Sequence, residues 1–432
     1  MVLSSLDFHG IQRSPYVQIF DVFPTHLHFQ TCYGRENTLA YPHQLKVVPY
    51  NYQMLMFYIL IKNTSFMLES MVTKSPAIDR AMAGEELSFN DGMELMNYDN
   101  IHMLGATAEI ARKKLVGKNV TFTASYYMNY TNVCAASCQM CAFYRKGNED
   151  DAYTLTPEQI EKRVSSAEQL GATEVHIVGG FHPDLPLDYY EEMMKVIKEK
   201  HQKLTIKAFT AAEIFYLSKL TKNSIKEILT RLKDAGLDSM PGGGAELFHP
   251  DIRGKIVRGK CTGQEWLDTI EQAHNLGIKS NATMLYGHIE KPEHIIDHLI
   301  KIRELQKRTN GFLTFIPLKF SLDNTELENE HKVTQECSSL YDLKIIALSR
   351  LMLANALNNI SVYWVAYGKK LAQVALCNGG NDLVGTAFSE EIYRAAGKPT
   401  NSSLIELSNL VKEINRNPIQ RNTFFEHIQD FK

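Results

Sequence analysis

At 432 residues, 44% of them hydrophobic, the chain is long enough to bury one large core or two smaller ones, which excludes disorder on a large scale. Lys and Arg total 46 against 49 Asp and Glu, a net charge of -3, and no basic run stands ready to neutralise a row of phosphates, so nucleic acid is excluded as the expected partner. The longest apolar run, Met54 to Ile61, falls far short of the ~20 residues that span a bilayer and lacks a signal peptide's flanks, so no stable membrane insertion and a cytoplasmic location are expected.

Residues 1–66 are rich in aromatics and histidine without a sustained helical or alternating pattern. They read as an N-terminal extension, disordered or misassigned, with Met67 and Met71 just ahead of the segment that reads well. Residues 67–120 form a helical lead-in. From about residue 120 short β-branched or aromatic runs alternate with amphipathic helices, the pattern of parallel strands with crossover helices. Candidate strands lie at 121–126, 174–180, 204–210, 237–239, 281–287, 312–318, 360–367 and 382–387.

The helices are punctuated. In "TPEQIEKRVSSAEQLG" Thr156 is placed to cap, Gln159 to complete the capping box, Pro157 to occupy the first turn and Gly171 to follow the end. Ile160, Val164, Ala167 and Leu170 then share one face. The fold class is α/β, a (β/α) barrel of the TIM type with eight strands across 121–398, followed by a C-terminal helical segment at 399–432.

Seven cysteines are an odd count, and Cys32, Cys261, Cys337 and Cys377 are isolated, so no disulfide framework is expected. The other three crowd into "NVCAASCQMCAF" as Cys134, Cys138 and Cys141. A closed zinc site takes four ligands, and no second cysteine pair exists; the nearest downstream histidine, His176, sits inside a strand. A 4Fe-4S cluster normally takes four cysteines. Three leave one iron open, which an electron carrier would not need.

The spacing Cys134-x3-Cys138-x2-Cys141, just after the first barrel strand, resembles the radical S-adenosylmethionine (SAM) superfamily, although Met140 stands where that family commonly has an aromatic. The resemblance implies a 4Fe-4S cluster on these three cysteines, with SAM on the open iron, and reductive cleavage to a 5′-deoxyadenosyl radical. It implies SAM contacts from Phe143, from Gly179 and Gly180 at a strand end, from Glu213, and from Gly287 and Glu290.

The resemblance narrows over about residues 71–398. "GGFHPDLPLDYY", "IKAFTAAEI", "PGGGAELF", "NATMLYGHIE", "FIPLKF" and "GGNDLVGTAFSEEI" are similar to the aminofutalosine synthase family of menaquinone biosynthesis. Relatives are the cyclic dehypoxanthine futalosine synthases and the tyrosine-using subunit of deazaflavin synthase, in which the glycine stretch reads more like P-G-T-A-A. The family adds the adenosyl radical to the vinyl carbon of 3-[(1-carboxyvinyl)oxy]benzoate, giving aminofutalosine and consuming SAM. An external flavodoxin- or ferredoxin-type donor is implied. A substrate with two carboxylates needs cationic or backbone donors. The residues placed for this are Lys207, His182 and His288, then Arg253 and Arg258, and the backbone of Gly242, Gly243 and Gly244, while Thr210, Glu246, Asn381 and Asp382 complete the expected substrate-binding set.

Overall fold

Strands that bury both faces read as near-continuous apolar runs and pair in parallel, and six such strands carry the site in the computed structural model. The structure describes residues 75–432 except positions 331, 399 and 432; the reading of residues 1–66, with Met67 and Met71, lies outside the described residues. The strands are β1 (Asn119–Thr123), β2 (Ser125–Asn129), β3 (Glu174–Val178), β4 (Thr205–Ala208), β5 (Ser239–Met240), β6 (Lys279–Tyr286), β7 (Phe312–Lys319), β8 (Asp382–Gly385), β9 (Asn417–Arg421) and β10 (His427–Asp430). β2 to β7 form one parallel sheet in chain order. Its register aligns Tyr127 with His176, His176 with Lys207, and Lys207 with Ser239.

The sheet curls, and isolated bridges continue it. Phe315 bridges Ile360, Ser361 bridges Asp382, and Phe388 bridges back to Tyr126. The eight positions expected of the barrel are thus filled, with a short seventh. The run at 360–367 differs from its expected strand: only Ile360 and Ser361 pair, and the chain then turns into the helix Trp364–Tyr367. Its aromatics favour a pleated surface, but Tyr363, Trp364 and Tyr367 are all buried among other side chains, and that packing decides the local conformation.

The run at 121–126 also divides. β1 pairs with β8 and β9, and β2 starts the six-stranded sheet. The C-terminal segment is only partly helical. After the helix Leu404–Lys412 come β9, parallel to β1, and β10, antiparallel to β9.

The helix Pro157–Gln169 forms as its punctuation demands. Gln159 N–H donates to Thr156 Oγ1, and Thr156 N–H donates to Gln159 Oε1 at 2.8 Å. Ile160, Val164 and Ala167 are fully buried, but Leu170, expected with them, is 57% exposed at the C-cap. Three helices, Pro76–Ala83, Phe89–Met96 and Ile101–Val116, make up the described part of the lead-in. Among the described residues no helix is long and apolar enough to cross a membrane.

Candidate active site

The loop leaving β2 carries the three cysteines, and its backbone is pinned from three sides. Ala135 N–H donates to Phe181 O at 2.8 Å, Ser137 N–H to Arg258 O at 3.2 Å, and Leu327 N–H to Gln139 O at 3.1 Å. Cys134, Cys138 and Cys141 all line a cavity of about 290 Å³ at the C-terminal end of the sheet, the active end of such barrels. Phe181 N–H donates to Cys134 Sγ at 3.3 Å. Burial pushes the Cys134 and Cys141 thiols up, and the Lys260 ammonium acts in the opposite sense on both. Lys260 is itself buried, which disfavours its charge, yet Glu246 at 2.7 Å and the nearby thiols outweigh that and hold it protonated.

Three cysteines of one loop on one cavity wall are a donor set that suits a cubane, in which each thiolate serves its own iron and a fourth iron is left for another ligand. Cys261, beside Arg253, and Cys337, beside Asp342, are engaged elsewhere, and Cys377 is exposed.

Glycines at the end of β3 let this loop seat. A Cβ on Gly180 would stand 2.2 Å from Val133 O, and one on Gly179 would stand 2.6 Å from the Tyr130 ring. Phe143, Gly179 and Gly180 line the cavity with Thr210 and Glu213. Glu213 caps the helix Ala211–Thr221 by accepting from Thr210 N–H at 2.7 Å. Its other oxygen accepts from Gly179 N–H at 3.1 Å and Tyr130 O–H at 2.9 Å, so one buried carboxylate ties three strand ends together. Burial raises its pKa against these donors.

The glycine run after β5 has each of its carbonyls held by a side chain of a neighbouring element. Gly242 O accepts from Thr283 Oγ1 at 2.6 Å, Gly243 O from Trp266 Nε1 at 3.1 Å, and Gly244 O from Arg253 Nη2 at 2.9 Å. Among the described residues no acceptor meets the three amides, and all three residues line the cavity. Successive unpartnered N–H groups suit a carboxylate.

Several residues expected at the site are not on the cavity wall. Lys207 is consumed by Glu174 at 2.7 Å, both fully buried. His182 accepts from Asp184 N–H within its own turn. Glu290 closes its own loop, accepting from Gly287 N–H at 2.7 Å and His288 N–H at 2.8 Å, with the His288 ring beside it. Asn381 binds Arg350, and Asp382 binds Arg421, Ser361 and Thr121. Arg253 holds carbonyls and Arg258 pairs with Glu326. Each of these groups was free in the sequence and has a partner in the fold.

Other residues on the wall went unnoticed in the sequence: Tyr127, Asn281, Lys319, Tyr363 and Glu390, with His176 seen only as a strand residue. The alternation of inward-facing positions in β2 and β3, Tyr127 with Asn129 and His176 with Val178, is the signal that finds two of them. Glu390 gives no such signal.

The Radical SAM superfamily model matches residues 128–302. An aminodeoxyfutalosine synthase of Thermus thermophilus is 38% identical over 356 residues, covering 82% of this chain and 95% of that one. The chain belongs to the radical SAM superfamily. Residues 309–432 of this radical SAM enzyme match the CofH/MqnC C-terminal region. A 5-amino-6-(D-ribitylamino)uracil--L-tyrosine 4-hydroxyphenyl transferase of Methanopyrus kandleri is 39% identical over 74% of this chain and 88% of its own.

Two solved structures share the fold at 18% identity. Methylornithine synthase superposes with a TM-score of 0.61 over 79% of this chain and 97% of its own. The FeFe-hydrogenase maturase of Carboxydothermus hydrogenoformans gives 0.64 over 86% and 84%. As a superfamily member the enzyme uses a 4Fe-4S cluster and SAM and acts on a small-molecule substrate.

Proposed function

We propose that this radical SAM enzyme is an aminofutalosine synthase, joining the 5′-deoxyadenosyl group of SAM to 3-[(1-carboxyvinyl)oxy]benzoate in menaquinone biosynthesis. Overall identity does not favour it, since the futalosine and tyrosine relatives stand at 38% and 39%. The observation that carries the reading is Gly244. Its φ is +79°, and a Cβ there would lie 2.7 Å from Ala212 Cβ. The tyrosine-type stretch P-G-T-A-A puts alanine at that position, which this backbone accommodates only with strain. "PGGGAE" is the futalosine-type pattern.

Bound together, the cluster and SAM supply a 5′-deoxyadenosyl radical. Cys134, Cys138 and Cys141 would hold the cluster, and Phe143, Gly179 and Gly180 would border SAM. Glu213 acts one step away by fixing the Gly179 backbone and Tyr130. The amides of Gly242 to Gly244 would meet a substrate carboxylate, with Thr210 and Glu246 beside them on the wall. Ile316, Leu318 and Phe320 keep the remainder apolar, which excludes water from a reactive carbon centre. The reductant is proposed to be a small flavodoxin- or ferredoxin-type protein.

The test is a product assay on anaerobically reconstituted enzyme with SAM and dithionite. Carboxyvinyloxybenzoate should yield aminofutalosine by mass spectrometry. A product formed only with tyrosine and 5-amino-6-(D-ribitylamino)uracil would reverse the assignment.

A further inference from the structure

Tyr127 and His176 lie two residues before the ends of β2 and β3, deeper in the barrel than the cysteine loop that follows β2. They are register partners, and their rings stack at a centroid distance of 4.4 Å and an interplanar angle of 14°. The pair forms an aromatic patch on the cavity wall. Burial, with the Lys207 ammonium close by, takes His176 down to about 3, so the ring is neutral. Tyr363 lies beside Tyr127, and each influences the other's ionisation.

Glu390 completes this end of the cavity. Tyr127 N–H donates to Phe388 O at 2.8 Å, which brings the segment carrying Glu390 against β2. Glu390 is 2% exposed, and its two oxygens accept from Ile392 N–H at 3.0 Å and Tyr393 N–H at 2.9 Å, which fixes the carboxyl on the wall. It takes part in no ion pair among the described residues. The titratable and charged groups near it are Tyr127 of β2, Tyr363, and Tyr393 and Arg394 of its own segment. Arg394 is largely exposed and faces Glu391. The cavity's lysines are also taken: Lys260 by Glu246, and Lys319 by Asp342 and Glu336. Burial therefore raises Glu390 to about 7, even against the amides that favour its ionised form. An acid in this setting is a hydrogen-bond donor near neutrality.

We propose that Glu390 is a positioning residue that seats a carboxylate-bearing aromatic ring against the Tyr127–His176 stack, through a hydrogen bond from its carboxyl to the ligand's carboxylate. The inference deepens the reading above and rests on it for the benzoate chemistry. Neutral donors hold the anion here, so affinity depends on Glu390 keeping its proton. When it ionises, two carboxylates face each other in a buried site and the ligand is repelled.

The experiment is calorimetric titration of anaerobic holoenzyme, with SAM present, using benzoate as the probe between pH 6 and pH 8. The protonated fraction of Glu390 falls about tenfold across this range, so Kd for benzoate should weaken about tenfold. Glu390→Gln retains a donor without a proton to lose, and its Kd should be flat with pH. Glu391→Gln, whose residue faces Tyr153 and Arg163, should keep the wild-type slope. A flat profile in the wild-type enzyme, an unchanged slope in Glu390→Gln, or no benzoate binding at pH 6 would each overturn the proposal. The wild-type slope stands without any variant. Aminofutalosine formation beside a flat slope rejects this seat alone, whereas an intact slope without product rejects the substrate assignment and keeps the seat.

Discussion

Two carboxyls show how burial sets charge in this barrel. Glu213 and Glu390 are both raised by desolvation, although each accepts hydrogen bonds that favour ionisation. For Glu390 the folded value is about 7 against 4.5 unperturbed, so the folded state binds more protons than the unfolded one between those values. Its contribution to stability is complete below about pH 4.5 and is lost as pH rises toward 7, a change of roughly 3 kcal/mol at most. Glu390→Gln should gain in relative unfolding stability from pH 5 to pH 8; denaturant titrations of both proteins at the two pH values check this. Cys138→Ala should leave the barrel folded while abolishing both cluster assembly and activity, measured as iron and sulfide per chain and as 5′-deoxyadenosine release. Full activity in that variant would remove Cys138 from the ligand set.

At the scale of elements, the strand ends set the backbone of the site more firmly than the side chains do. Gly180→Ala would drive a methyl into Val133 O, a backbone atom that cannot swing away. The cysteine loop must then shift, and reconstituted iron should fall well below the wild-type level while circular dichroism stays the same. Gly244→Ala should cost about 1 to 2 kcal/mol in urea unfolding, since it combines a left-handed φ with close contact to Ala212.

These glycines, the cysteine spacing and the helix caps could all be read from the sequence because each is a local requirement. The basic residues could not. Lys207, Arg253 and Arg258 are identical in the sequence to ligand-binding cations until the fold supplies Glu174, the carbonyls and Glu326 as partners. The strand at 360–367 failed for a related reason. Its composition is that of a strand, but where Tyr363 and Trp364 are buried depends on β8 and the segment after it.

Across the described residues, the C-terminal strands secure the first strand and its neighbours. β9 lies beside β1, and Arg421 from β9 reaches Asp382 of β8 at 2.7 Å with both side chains buried. Thr423 continues inward to Glu174 at 2.6 Å, the acid that holds Lys207. Four strands and two ion pairs therefore depend on residues 417–423. Arg421→Met should cost about 3 to 5 kcal/mol, since it leaves Asp382 charged and buried, and urea unfolding measures this. The C-terminal stretch expected to be only helical carries this role through pairings of about 250 to 300 residues in sequence separation, which no local pattern can announce.

The seventh position of the ring has a further consequence. Ile360 and Ser361 meet their neighbours through one bridge on each side, whereas β2 and β3 align over five residue pairs. β5 is no thicker, meeting β4 through one residue pair and β6 through two. The hoop therefore has two slender staves, and neither pairs with β2, the strand that leads into the cysteine loop, so amides at both should exchange with solvent sooner than those along β2.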